Sequence, residues 1–265
     1  MSTHEIHQAS SFGDSHAYQM QQTILSSLVH ADDQHPDVYN TPDGYNITKD
    51  DLISLPGDLR GCRCMNMWIE MWTVPVHPVV KFNSSAPKEI PNHAMLRFDF
   101  VNLHGRHCGI RIGVLPDWDL EEPLVVTHEG FLLPGKLVAM PMTKEDIRLS
   151  EARSYVFPLK IEQTVTDILQ FIMSKQLGSF DFLARDLLWG GNDFVMQTFH
   201  QLVAGGYISP YIEYAHPFDD WNQYISTGYM ALATHVTADN LTFPTKVFKG
   251  RFRFYHRIQL PWMCY

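Results

Sequence analysis

AMLRFDFVNLHGRHCGIRIGV, residues 94–114, decides the fold. Met95, Arg97 and Asp99 alternate with Leu96, Phe98 and Phe100, and further on Ile110, Ile112 and Val114 alternate with Arg111. Successive side chains of a strand point to opposite faces, so this two-residue period predicts two half-buried strands. Between them, Asn102 to His107 contains Gly105 and has the composition of a turn. The segment is therefore expected to fold as an antiparallel β-hairpin.

Strand signals continue on both sides. Met65 to Phe82 is rich in Met, Trp, Ile, Val and Phe, and is broken by Pro75 and Pro78, which suit an edge or a bend. Leu132–Met140 and Ser154–Ile161 are further strand candidates, and Lys246–Leu260 sets Phe248, Phe252, Phe254 and Ile258 against Arg251, Arg253 and Arg257 as a half-exposed strand.

Helical signals are fewer. Thr164 with Asp167 makes a capping box, and Val165, Ile168, Leu169 and Ile172 recur at i, i+3, i+4 and i+7 until Gly178. Gly191 or Asn192 opens a second helix, with Phe194, Val195, Phe199, Leu202 and Val203 as its buried stripe and Gly205-Gly206 as its stop. Tyr18, Ile24, Leu25 and Leu28 predict a helix over His16–His30, and Thr48 with Asp51 starts a short one that Pro56-Gly57 ends. Strands interleaved with a few helices indicate an α+β fold, a largely antiparallel sheet flanked by those helices. Residues 1–60 are read as an N-terminal helical and loop extension, and residues 61–265 as a single α+β domain.

The chain has 265 residues, 45% of them hydrophobic, enough to bury a substantial core. A formal net charge of -9 argues against a general nucleic-acid or anionic-membrane binder. The basic, Phe-interleaved run Lys246–Arg257 lacks a recognition motif, so no nucleic-acid partner is expected. No apolar run reaches the length of a membrane span, and the polar stretch Met1–Ser15 does not read as a secretory signal. A cytoplasmic protein with reduced thiols at Cys62, Cys64, Cys108 and Cys264 is expected. No P-loop, dinucleotide fingerprint, Gly-x-Ser-x-Gly elbow or His-Glu-x-x-His is present, which disfavours nucleotide-dependent and dehydrogenase chemistry, and no cofactor is expected.

Two places carry candidate chemistry. Asn92-His93 stands at the mouth of the first hairpin strand, and Trp189-Gly190-Gly191-Asn192-Asp193-Phe194-Val195 steps through two glycines into a helix. A helix start offers unpaired N–H groups and a partial positive charge, a seat for an anion or developing oxyanion. His93 is the central acid–base candidate, since imidazole gains and loses a proton near neutral pH; a structural histidine at a strand entrance is the plain alternative. His104 is a second candidate, and with His107 and Cys108 it could also contribute to a metal patch, although turn histidines in solvent explain the pattern better and no metal is expected. Asp193 is either a third catalytic group or a helix cap. Arg97 and Asp99 share one side of a strand with Arg111 on its partner, either as an internal ion pair across a cavity or as a solvated sheet face. Trp189, Asn192, Tyr207 and Tyr211 complete the expected substrate-binding set, and Tyr207–Tyr224 reads as a lid.

These motifs, in this order over roughly residues 76–210, resemble a fungal family of single-domain proteins with Asn-His-Trp at the first position and Gly-Cys-Arg-x-aromatic at the last. The order is also similar to the circularly permuted papain-like fold of the lecithin retinol acyltransferase group, in which a histidine begins a strand and Asn-Cys-x-x-Phe-Val opens a later helix. That resemblance implies thioester chemistry at the cysteine. Here Ala94 replaces the Trp and Gly191 replaces the Cys, so the nucleophile of such a mechanism is missing.

The expectation is a cofactor-independent fungal secondary-metabolism enzyme that folds a hydrophobic small-molecule substrate into an aromatic-lined pocket and assists cyclisation or isomerisation. One alternative is a non-catalytic small-molecule-binding or interaction protein derived from a hydrolase fold. Another is an acyl hydrolase or transferase using Ser154, Ser179 or Ser209 beside His93. Oligomeric state is not legible in the chain.

Overall fold

The computed structural model describes residues 44–47, 52–72, 93–117, 125–128, 130–149, 153–160, 163–184, 188–208, 234–236, 242–244, 249–256 and 258. The fold is α+β, with a largely antiparallel sheet and a few helices. Its strands are β1 (Tyr45–Asn46), β2 (Cys64–Trp72), β3 (His93–His104), β4 (His107–Pro116), β5 (Val125–Thr127), β6 (Gly130–Thr143), β7 (Arg153–Pro158), β8 (Phe180–Ala184), β9 (Leu188–Trp189) and, after a separate β10–β11 hairpin (Thr234–Val236, Thr242–Pro244), β12 (Arg251–Phe252). The helices are α1 (Gly57–Arg60), α2 (Lys144–Leu149), α3 (Val165–Ser174) and α4 (Gly191–Ala204). The main path across the sheet is β12-β8-β6-β4-β3-β2-β7, with β1 and β5 paired to β6 and β9 paired to β8.

The β3–β4 hairpin is the expected one with a tighter turn. His104 pairs with His107 across Gly105 and Arg106, and Gly105 has φ 57, the left-handed backbone that a two-residue turn requires. Asn102 and Leu103 therefore belong to a strand, although the register shifts between Asp99 and His104 and this end of the ribbon is exposed.

Alternation divides the sheet into two unlike faces. Met67, Ile69 and Met71 of β2, Leu96 and Phe98 of β3, and Ile110 and Ile112 of β4 meet Val165, Ile168, Leu169 and Ile172 of α3 and Phe194, Phe199 and Leu202 of α4 in the main core. Each such side chain contributes about 1.5–3 kcal/mol when fully buried. Helix α3 begins where its capping box lies: Asp167 N–H donates to Thr164 Oγ1 at 3.1 Å and Thr164 N–H donates to Asp167 Oδ2 at 2.8 Å. On the other face, Met95, Leu115, Val138 and Met140 form a smaller buried cluster beside charged residues.

Several expectations are corrected or fall outside the description. The short helix expected before Pro56-Gly57 is a 3-10 turn, Leu52–Ser54, that stops ahead of that pair, and Pro56 then serves as the N-cap of α1. Thr48, Asp51 and the expected helix His16–His30 lie outside the described residues. Ile47, Leu55 and Leu59 belong to the main core, so the described part of residues 44–60 is built into the same body as the sheet. Among the described residues of the strand expected over Lys246–Leu260, Arg251 and Phe252 are the ones that pair in the sheet. Beyond that point Arg253 N–H donates to Ser179 O at 2.9 Å and Phe254 turns outward, 65% exposed, so the two-residue period lapses where the ladder stops. Strands β8 and β9 had no counterpart in the sequence reading.

Candidate functional site

The sheet face opposite α4 carries a buried charge network. Trp68, Arg97, Arg111 and Met140 lie abreast on β2, β3, β4 and β6, with Glu70 one step along β2. Arg97 Nη1 donates to Glu70 Oε1 at 2.6 Å and Arg111 Nε to Glu70 Oε2 at 2.7 Å, so one carboxylate joins two guanidinium groups. Arg97 Nε lies 3.0 Å from Asp99 Oδ1, and Trp68 Nε1 donates to Asp99 Oδ2 at 2.5 Å. The Arg97 guanidinium also covers the Trp68 ring, 4.2 Å from its centroid. Arg111 Nη2 donates to the Asp146 carbonyl at 3.3 Å.

The side chains of Glu70 and Arg97 are 2% and 4% exposed. This settles the choice between an internal ion pair and a solvated face in favour of the internal network. Two carboxylates and two guanidiniums balance, and both Glu70 oxygens are engaged. Burial raises the Asp99 carboxyl above the usual range, against the lowering effect of Arg97 and the Trp68 N–H. Glu70 went unread in the sequence, yet it is the single acid in the run Met-Trp-Ile-Glu-Met-Trp and has the parity of Trp68, which was the available signal.

The two glycines at the start of α4 differ: a Cβ at Gly191 would meet only Phe182 Cε1, at 3.8 Å, whereas Gly190 is packed in. Gly190 has φ 122, and a Cβ there would lie 2.7 Å from Gly250 Cα and 2.8 Å from Phe180 Cζ. Asp193 is fully buried and its Oδ2 accepts the Gly250 N–H at 3.0 Å, so this carboxylate ties the 249–258 strap to the helix start, where the dipole favours it. Four residues on, Gln197 pairs with Ile258 as a strand would: its Oε1 accepts the Ile258 N–H at 3.0 Å and its Nε2 donates to the Ile258 carbonyl at 2.9 Å. Tyr255 Oη donates to Gln197 Oε1 and accepts from Gln201 Nε2, each at 3.0 Å. Asp193, Gln197 and Gln201, at i, i+4 and i+8, thus form one polar stripe that holds the strap.

The strap borders a cavity of about 440 Å³, within the range of small-molecule sites. Leu132, Leu183 and Phe252 give it an apolar floor; His128, Lys249 and Arg251 supply cations or potential cations; Thr127, Gly250 and Tyr255 complete the described lining. Phe252 is fixed by edge-on contacts with Phe180 and Tyr255, ring centroids 5.0 and 5.1 Å away. None of these lining residues was read as a site from the sequence. The basic alternation of the strap is visible in the sequence, where it predicts a half-exposed strand and carries no ligand signal.

The expected catalytic set does not converge. His93 opens β3 opposite Trp72 and His104 closes the same strand, eleven residues on. At roughly 3.3 Å per residue, that separation is about 36 Å. His104 Nε2 lies 2.8 Å from Asp58 Oδ2 at the exposed hairpin tip, and this hydrogen bond lowers the Asp58 carboxyl below its ordinary range. Asp193 is occupied with the strap, and Asn192 beside it is buried.

Of the substrate-binding set, Arg97, Asp99 and Arg111 come together, but within the charge network. Trp189 pairs in β9 with Leu183, while Tyr207 stacks on Phe171, ring centroids 4.4 Å apart, beyond the far end of α4. Tyr211 and the expected lid beyond residue 208 lie outside the described residues. Among the described residues, no three His, Cys, Asp or Glu side chains gather as a metal-binding group. Cys62, Cys64 and Cys108 are free thiols, and burial raises all three above the usual thiol range. Among the described residues, no helix is long and apolar enough to cross a membrane. Compared with family models, curated proteins and solved structures, the chain matches none.

Proposed function

We propose that this chain binds a hydrophobic small molecule in the cavity under the 249–255 strap. The observation that carries the reading is the combination of a 440 Å³ cavity, an apolar floor at Leu132, Leu183 and Phe252, and a polar rim. Pyrenebutanol, a neutral fluorescent probe, tests it. Saturable binding is expected, with at least about a tenfold loss in Leu183→Trp or Leu132→Trp, which fill the floor while circular dichroism stays unchanged. Absence of saturable binding, or binding indifferent to both substitutions, overturns the reading.

Acid–base assistance of a cyclisation or isomerisation is the catalytic form of the same proposal. It is supported by His128, an imidazole on the cavity wall, rather than by His93. The fungal secondary-metabolism setting and the kinship with permuted papain-like proteins rest on the sequence resemblance. Gly191 in place of the cysteine favours binding or proton transfer over thioester chemistry. In the native host, His128→Gln is expected to remove a cyclised or isomerised metabolite while the purified variant still binds pyrenebutanol. An unchanged metabolite profile removes the catalytic role and leaves a binding protein.

A further inference from the structure

We infer that Gln197, which lies outside the described lining of the cavity, is a positioning residue for it: from helix α4 it sets where the strap side of the cavity stands. This rests on the binding reading above and adds to it a residue that acts on the ligand through others. Gly250 and Ile258 are eight residues apart in the chain, about 26 Å if extended. They are fastened to Asp193 and Gln197, which are one helical turn, or about 6 Å, apart along α4. The strap must therefore arch away from the helix, and the arch carries Arg251, Phe252 and Tyr255 of the lining.

The two limbs of the arch are held differently. Strand β8 fixes the first, through the pairing of Arg251 and Phe252 and through the Arg253 N–H, which donates to Ser179 O at 2.9 Å. The second returns through Tyr255, whose hydroxyl donates to Gln197 Oε1 and accepts from Gln201 Nε2. It closes at Ile258, where Gln197 both accepts the N–H and donates to the carbonyl. One fully buried amide thus orients a lining side chain and anchors the return of the strap. Without that amide the limb is loosened, and a wall that has to be ordered when a ligand binds costs affinity.

The test is the affinity for pyrenebutanol, a probe without charge, as a function of pH in Gln197→Glu. Protonated, the new carboxyl offers one acceptor and one donor, as the amide does; ionised, it has no donor for the Ile258 carbonyl. Burial and the Asp193 carboxylate one turn away should move its titration above the ordinary value of about 4.3. The variant is expected to bind within about twofold of the unsubstituted chain at the acid end of the profile, and about five- to tenfold more weakly once the carboxyl ionises, a step that the unsubstituted chain lacks. Gln197→Met, which keeps the length of the side chain and loses both hydrogen-bonding functions, should bind about five- to tenfold more weakly at every pH while circular dichroism stays unchanged. A Gln197→Glu profile parallel to that of the unsubstituted chain, or full affinity in Gln197→Met, overturns the positioning role and leaves the cavity reading standing. Absence of saturable pyrenebutanol binding in the unsubstituted chain overturns both.

Discussion

Charge is held in opposite ways at two ends of this sheet. Around Glu70, four ionised side chains neutralise one another within contacts of 3.0 Å or less, largely out of water. At the strap, Lys249 and Arg251 border a cavity whose described lining holds no carboxylate. The denser cluster is thus the self-sufficient one, while the sparser one stands beside an apolar hollow. A group of ionisable residues marks a binding site only where its charges are not already matched by the protein.

The comparison breaks first at Glu70. Glu70→Leu would leave two buried guanidiniums without their shared partner, and a loss of about 3–5 kcal/mol in urea unfolding is expected. Replacing Glu70, Arg97 and Arg111 together by Leu, Met and Met should recover most of it, since no uncompensated charge then remains. A single-variant cost below about 1 kcal/mol would place the network in water.

Gly190→Ala comes next, because positive φ and the approach of Gly250 and Phe180 both oppose a side chain there. A loss of about 2–4 kcal/mol is expected, and a neutral result would mean that the glycine step is open. Gln197→Ala removes the partners of the Ile258 N–H and carbonyl at a cost of about 1–3 kcal/mol, with faster hydrogen exchange at the Ile258 amide. Unchanged exchange at that amide would show that the strap is held by other contacts.

The smallest effect is a pH dependence. The Asp99 carboxyl titrates higher in the folded chain than the ordinary value of about 3.9, so above about pH 4 the folded state holds a proton that the unfolded state has released. Its contribution to stability therefore declines as pH rises through that raised value. Asp99→Asn should flatten the urea-midpoint profile across this window; a steeper profile would reverse the assigned sign.

What the sequence discloses follows the range of the interactions. The hairpin is legible in Leu96, Phe98, Ile110 and Ile112, and α3 in Thr164, Asp167 and Ile168, because alternation, helical period and capping are local patterns. Glu70 meets Arg97 and Arg111 across 27 and 41 residues, and Gln197 meets Ile258 across 61, with no local sign of either partner. For the same reason Asp193 could be placed at a helix start but not linked to Gly250. The cavity is assembled from β5, β6, β8 and the strap, and β8 was not anticipated at all.

The central claim is that a ligand enters the strap cavity and leaves the charge network untouched. Heteronuclear NMR during a pyrenebutanol titration tests it most directly. The account requires saturable shifts at the amides of Thr127, Gly250 and Phe252, with the Arg97 and Arg111 Nε–H signals unmoved. Shifts confined to the two arginines, with a silent strap, would contradict it.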